Sequence, residues 1–286
     1  MLKSVLRVVL WLTIFIVLTF FTQVGGLIFL LWLLVYFKGL KKLFPEEWKS
    51  VLSVLGFAGF YMIFNLLIIP LIASAFNRVP LPFSKSGNLI PVTYWTCIFN
   101  RHYITREGKE SLLTLSDGFV AQYPECKVKY MDCNFPFRFI ESKNGNTSGI
   151  PFVEGLFPHF SHVGNKADVA LVYHDETNKL VTETPTAIGY GSSVNPLPGE
   201  SCMPCKCDKK NAFYSFMFRN LPHDDAIQLD VDKSSKLVRH FLTAPQVRYT
   251  LLEQHLRERF RLKRFHFASH GCKTVRHDDH FHIELR

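Results

Sequence analysis

The stretch His277-Asp278-Asp279-His280-Phe281-His282-Ile283-Glu284-Leu285 closes the chain, and its second half changes chemistry at every other position. Period two marks an extended strand, because successive side chains leave a strand on opposite faces. Read this way, Asp278, His280 and His282 share one face while Phe281 and Ile283 share the other. Such a strand must rest its apolar face on a core and turn its imidazoles toward a site. The C-terminal part of the chain is therefore expected to be a sheet-containing domain.

Working back from that strand, Phe265-His266-Phe267 reads as a second one. Thr243-Ala244-Pro245-Gln246 has capping-box spacing, and Val247, Leu251, Leu252, Leu256 and Phe260 recur at helical intervals, which predicts a helix there. Asp168-Val-Ala-Leu-Val-Tyr173, the turn residues Asp175 to Asn178 and the run Leu180 to Thr184 predict a hairpin. A helix is expected around Ser111 to Phe119, a Pro-, Cys- and Asn-containing loop from Tyr123 to Pro136 and a Gly-rich turn at Asn144 to Gly149. No internal repeat is evident. The fold class that follows is α+β with an antiparallel sheet, over residues 78–286.

Residues 1–77 obey different rules. From Val8 to Phe37 there is no charged residue, and a helix of that length exceeds the roughly 30 Å hydrocarbon core of a bilayer. A cleaved signal peptide does not fit the apolar continuation from Leu27 to Phe37. Val51 to Phe76 is a second run long enough to span, with Trp48 and Tyr61 as candidate interface aromatics and Pro70 as an expected kink. The anchor thus has two apolar segments, or three if the first run breaks at Gln23, Gly25 and Gly26. The intervening loop carries Lys38, Lys41, Lys42 and Lys49, which predicts a cytoplasmic loop and an extracytoplasmic C-terminal domain at the cell (inner) membrane. A single first helix would leave Lys3 and Arg7 outside, against the same rule. Asn77 to Val92, with Pro80, Pro82, Gly87 and Pro91, reads as the linker between the two parts.

The net charge of +9 suits anionic lipid headgroups, an anionic polymer or simply a solvated surface, and no nucleic-acid partner is expected. A channel or transporter is disfavoured, because the apolar segments contain no ionisable residue. All seven cysteines lie in the domain expected outside, where at least one disulfide is anticipated. Cys202-x-x-Cys205-x-Cys207 lacks a second matched pair and reads as a disulfide or loop staple. The acidic group His223, Asp224, Asp225, Asp230 and Asp232 lacks calcium-loop spacing and reads as a solvated loop.

The histidines carry the chemistry. Imidazole is a common zinc ligand, and a catalytic zinc takes three protein ligands and keeps one position open. His280 and His282 need partners from elsewhere, and the segment Pro158-His159-Phe160-Ser161-His162 through Asp168 offers them.

His159-Phe-Ser-His162 with Asp168, followed by the terminal His277-Asp-Asp-His280-Phe-His282, resembles the penicillin-insensitive murein endopeptidases, within the wider group of lysostaphin, D-alanyl-D-alanine carboxypeptidase and hedgehog folds. The resemblance covers Phe157 to the C-terminus. It implies a Zn2+ site made by His162, Asp168 and His282, with His280 as the active-site histidine and His159 and His277 as neighbours. It also implies hydrolysis of amide bonds in peptidoglycan peptides. Asp279, three positions before the last histidine, stands where some relatives carry a general base; His280 is the preferred acid/base or oxyanion stabiliser and His277 the second candidate. His162 and Asp168 are six positions apart where the family usually has seven. Either a shorter turn through Gly164 and Asn165 absorbs the difference, or His159 binds the metal in place of His162. The competing reading is a non-catalytic envelope protein that uses the same fold to bind wall peptides or a partner.

Overall fold

The computed structural model describes residues 2–43, 45–137, 165–201, 221–268 and 277–286. His159, His162, His270 and Cys202, Cys205, Cys207 and Cys272 fall outside them.

Helix α1 (Leu2–Thr22) stops where Gln23 takes a positive φ of 67°, and α2 (Gly25–Val35) turns back along it, extended by a π-helical turn over Tyr36–Leu40 and a last turn over Lys41–Leu43. The first apolar run is thus a helical hairpin, and Trp11 on the outgoing arm meets Phe37 on the return at 5.5 Å. Glycine is required at the crossing: a Cβ on Gly26 would run into Thr19 Oγ1 and lie 2.7 Å from the Phe15 carbonyl. Helix α3 (Lys49–Ile63) packs antiparallel on α2, with Phe29 against Phe57 and Gly56 under the Trp32 ring. It continues through a π-helical segment, Phe64–Ile68, into α4 (Ile69–Ser74), so the irregularity expected of Pro70 is absorbed in the turn before it. Val5–Thr22 and Glu46–Ser74 are long and apolar enough to cross a membrane. This geometry gathers the turns carrying Lys3, Arg7, Lys38, Lys41, Lys42 and Lys49 at one end, and the hairpin tip at the other.

The tip is built into the domain. Gln23 exchanges two hydrogen bonds with the Phe137 backbone, donating from Nε2 to its carbonyl and accepting from its N–H. Asn100 Nδ2 donates to Thr22 O at 3.4 Å and to Asn65 Oδ1 at 3.0 Å, while Tyr61 Oη and Asn65 Nδ2 both donate to Ile98 O. Tyr61 is consequently buried, not an interface aromatic.

The domain holds a five-stranded sheet in the order β2 (Leu89–Pro91), β4 (Val128–Tyr130), β5 (Lys166–Ala170), β10 (His280–Leu285), β9 (Val247–Leu251). Its neighbours run antiparallel except β2 and β4, which are parallel, so the sheet is mixed rather than wholly antiparallel. Parallel neighbours need a crossover. Here it runs through α5 (Tyr94–Ile98), β3 (Tyr103–Ile104) and α6 (Arg106–Gln122). β3 also pairs with β1 (Val79–Pro80), and β6 (Tyr173–His174) pairs with β7 (Leu180–Val181) and β8 (Gln228–Leu229) in a small second sheet. The β6–β7 pairing is the hairpin anticipated from the turn residues. Within the expected linker, Phe83 to Gly87 are exposed and irregular, whereas Leu89 and Ile90 are each 1% exposed and form the sheet edge.

Two further expectations are corrected. The helix lies one step earlier, at α7 (Val231–Leu242), where Asp230 caps it by accepting from Lys233 N–H at 2.8 Å, a bond worth about 1 kcal/mol. Thr243 ends this helix, and Val247 to Leu251 form β9, because β-branched and aromatic side chains there have β10 to pair with. Among the described residues only α8 (Gln254–Arg259) is helical beyond it, and Phe265–Phe267 is not a strand. Helices α6 and α7 cover one face of the sheet, where Phe281, at 0% exposure, sits edge-on to Phe241 at 5.4 Å. Burying such a ring contributes on the order of 3 kcal/mol.

Candidate functional site

The other face of β5 and β10 holds the polar residues. In the antiparallel register His282 lies opposite Asp168 and Phe281 opposite Val169, so alternation sends Val169 and Phe281 to the core and Asp168 and His282 together to the far side. There, His282 Nδ1 and Asp168 Oδ1 are 2.6 Å apart. The second oxygen of Asp168 accepts from Tyr190 Oη at 2.6 Å and lies 3.8 Å from His280 Nε2. His280 Nδ1 bonds Asp279 Oδ1, and Asp279 Oδ2 accepts the Gly191 N–H at 2.7 Å. The His277 ring centroid is 5.0 Å from that of His280 and 6.0 Å from that of His282. Five of the residues named from the sequence, Asp168, His277, Asp279, His280 and His282, are thus gathered in one buried cluster, while His162 and His159 lie outside the described residues.

Strand alternation alone would point Asp279 away from His282. Asp279 lies just before β10, where alternation no longer governs, and its carboxylate curls back to hold the His280 ring. Both oxygens of Asp279 are engaged, one with His280 Nδ1 and one with the Gly191 N–H, and the first of these bonds orients the His280 ring.

The electrostatics are dominated by carboxylates. Burial opposes charge on His280, but Asp168, Asp279 and Asp278 outweigh it and raise its pKa from 6.5 to about 9. Tyr190 is pushed well above the ordinary phenol value by burial first and by Asp132 and Asp168 next, so it is a hydrogen-bond donor and not an anion. Asp132 stands behind the site, its backbone carbonyl accepting from Asp168 N–H and its carboxylate held by Arg101 Nη1 at 2.8 Å.

Several participants escaped sequence reading. Tyr190 sits between Gly189 and Gly191, whose φ values of 84° and 87° suit glycine alone, and this Gly-Tyr-Gly turn was a legible signal. Glu253 binds the His277 backbone in both directions, accepting from its N–H at 3.2 Å and donating to its carbonyl at 2.9 Å. Tyr173 Oη donates to Asp279 O, and Tyr249 stacks on His282. Neither has a local sequence signature.

Among the described residues no group of three or more His, Cys, Asp or Glu side chains forms an arrangement able to hold a metal ion. Asp168 and His282 are suitable as two of three ligands. Tetrahedral zinc holds ligand atoms roughly 3.4 Å apart, so this 2.6 Å pair must open by about 0.8 Å to admit it, a side-chain adjustment. Cys97, Cys126 and Cys133 are buried thiols rather than disulfide halves, and burial pushes the first two up to about 11, which removes them as nucleophiles. His174 and Asp175 lie at the hairpin turn, where Asp175 Oδ1 accepts from Thr177 and Lys179. His223 and Asp225 pair with each other on the surface.

No family model matches this chain, and a search of curated proteins finds no significant match.

Proposed function

We propose that this chain is a membrane-anchored, outward-facing zinc metallopeptidase that hydrolyses amide bonds in peptidoglycan peptides. The observation that carries the reading is the meeting of His282 Nδ1 with Asp168 Oδ1 across the two central strands, beside His280 and His277. The six-residue spacing from His162 to Asp168 is no obstacle on the Asp168 side, since that carboxylate faces His282. The orientation is supported by the hairpin, which brings Lys3 and Arg7 to the same end as Lys38, Lys41 and Lys42 and leaves the domain at the other.

Held by His282, Asp168 and either His162 or His159, zinc would supply Lewis acidity toward a water and the scissile carbonyl, a contribution of several kcal/mol. The chain's own groups do the rest. Asp279 accepts from His280 Nδ1–H and so selects the orientation in which Nε2 faces the Asp168 end of the site. From there His280 can donate to a developing oxyanion or protonate the leaving amine. Tyr190 and the Gly191 N–H hold the two carboxylates in place.

A second reading has one observation in its favour. Both oxygens of Asp168 are engaged by side chains, one by Tyr190 Oη and one by His282 Nδ1, as a wall-binding protein with a purely structural network would require. The full-length protein in nanodiscs, assayed for metal by mass spectrometry and for release of muropeptides from isolated peptidoglycan, separates the two. The enzyme reading expects near-stoichiometric zinc in the parent, its loss in Asp168→Ala and His282→Ala, and products abolished by a chelator. A parent that carries no metal under zinc-replete conditions and retains peptidoglycan without cutting it would establish the second reading instead.

A further inference from the structure

Of the five large apolar side chains exposed among the described residues from Arg78 onward, three are neighbouring aromatics: Phe83, Tyr94 and Trp95, at 40%, 44% and 54%. Phe83 stacks on Tyr94 at 4.9 Å, and Lys85 Nζ lies over the Tyr94 ring at 5.3 Å. On the other side Trp95 stacks on Phe99 at 5.5 Å, and Phe99 meets Phe21 at 6.0 Å. Phe21 belongs to the last turn of α1 and is itself exposed. The patch is therefore continuous with the apolar surface of a helix long enough to span, and it lies where that helix enters the domain.

We propose that Tyr94, Trp95 and Phe83 form a contact with the outer face of the bilayer, seating the domain in the interfacial layer with Lys85 directed to headgroup phosphates. This rests on the reading of α1 as a membrane span. Val5–Thr22 rises about 27 Å, close to the hydrocarbon thickness, so its last turn lies at the boundary. Trp and Tyr favour that layer because the ring has an apolar body and one polar group. The height is set by the neighbouring hydrogen bonds: Asn100 on the Thr22 carbonyl and Gln23 on the Phe137 backbone leave the α5 end of the domain little freedom to lift away.

The test uses full-length protein in phosphatidylcholine vesicles containing lipids brominated near the headgroup or near the bilayer centre. Subtracting the emission of Trp95→Phe from that of the parent isolates Trp95 without disturbing the packed Trp32, and Trp11→Phe isolates Trp11 in the same way. The expected result is a roughly two-fold or greater quenching of Trp95 by the headgroup-side bromolipid, weaker quenching by the deeper one, and protection from aqueous iodide. Trp11, midway along α1, should be quenched by the deeper bromolipid. Iodide reaching Trp95 while Trp11 remains lipid-quenched overturns the seating and leaves the anchor intact; failure of both overturns the anchor as well. A Trp95 shielded from iodide and bromolipid alike means a protein surface covers the patch, which also refutes lipid contact.

Discussion

Two buried polar networks hold this protein together, and they are built from opposite materials. At the junction between the helical hairpin and the domain, Asn100 bonds Asn65, and Gln23, Asn65, Asn100 and Tyr61 each bond backbone groups, all without formal charge. On the far face of the central sheet, Asp168, Asp279, His280 and His282 form a network of ionisable groups. Neutral amides satisfy backbone groups at little desolvation penalty and define position. Buried carboxylates and imidazoles are expensive to desolvate and favour the arrival of a cation or proton. The first network locates the domain, and the second is where chemistry is affordable.

The sharpest way to break that contrast is to remove a group from the charged network and find that only stability changes. His280→Ala should lower muropeptide release by about 100- to 10,000-fold at saturating zinc while the protein remains folded in detergent, because it deletes the proposed acid without emptying the core. A variant with full turnover would reduce the site to a structural network. The converse variant is Asn100→Ala, which orphans the Asn65 side-chain oxygen and weakens the hold on Thr22. It should cost about 1–3 kcal/mol in urea unfolding and leave turnover per folded molecule unchanged.

A third experiment asks whether the junction side must stay uncharged. His102 is 7% exposed beside Tyr103, and burial together with the Lys109 charge lowers its pKa from 6.5 to about 3. Between those values only the unfolded chain takes up the proton, so the folded state loses stability as pH falls. The loss should be about 2 kcal/mol from about pH 7 to about pH 5, and His102→Phe should flatten that slope. Equal slopes in parent and variant would show that His102 titrates normally.

Much of the site strand was legible because alternation over six residues is a local property. Phe281 and Ile283 could be assigned to the core, and His280 and His282 to one face, from spacing alone. The helix expected over Val247 to Phe260 formed only at Gln254–Arg259, for the opposite reason: Val247 and Leu251 satisfy a helical period and also a strand, and the choice fell to β10, which offered Val247 to Leu251 a hydrogen-bonding edge. The turn carrying Tyr190 was legible but its role was not, and Glu253 had no signal at all, because both roles come from contacts with residues far away in the chain, 22 positions for Tyr190 to Asp168 and 24 for Glu253 to His277.

What the sequence determined by itself is what short-range physics decides: apolar helices long enough for a bilayer, a terminal strand with one wet and one dry face, and histidines grouped on that strand. What only the tertiary structure decided is which partners those elements meet. The break at Gln23 became a hairpin tip because the domain supplies the Phe137 backbone to satisfy its amide, and this brings Lys3 and Arg7 to the same end as Lys38. Asp168 became the partner of His282 because antiparallel register sets them face to face. Register and docking depend on summed long-range contacts, and no local pattern encodes those sums.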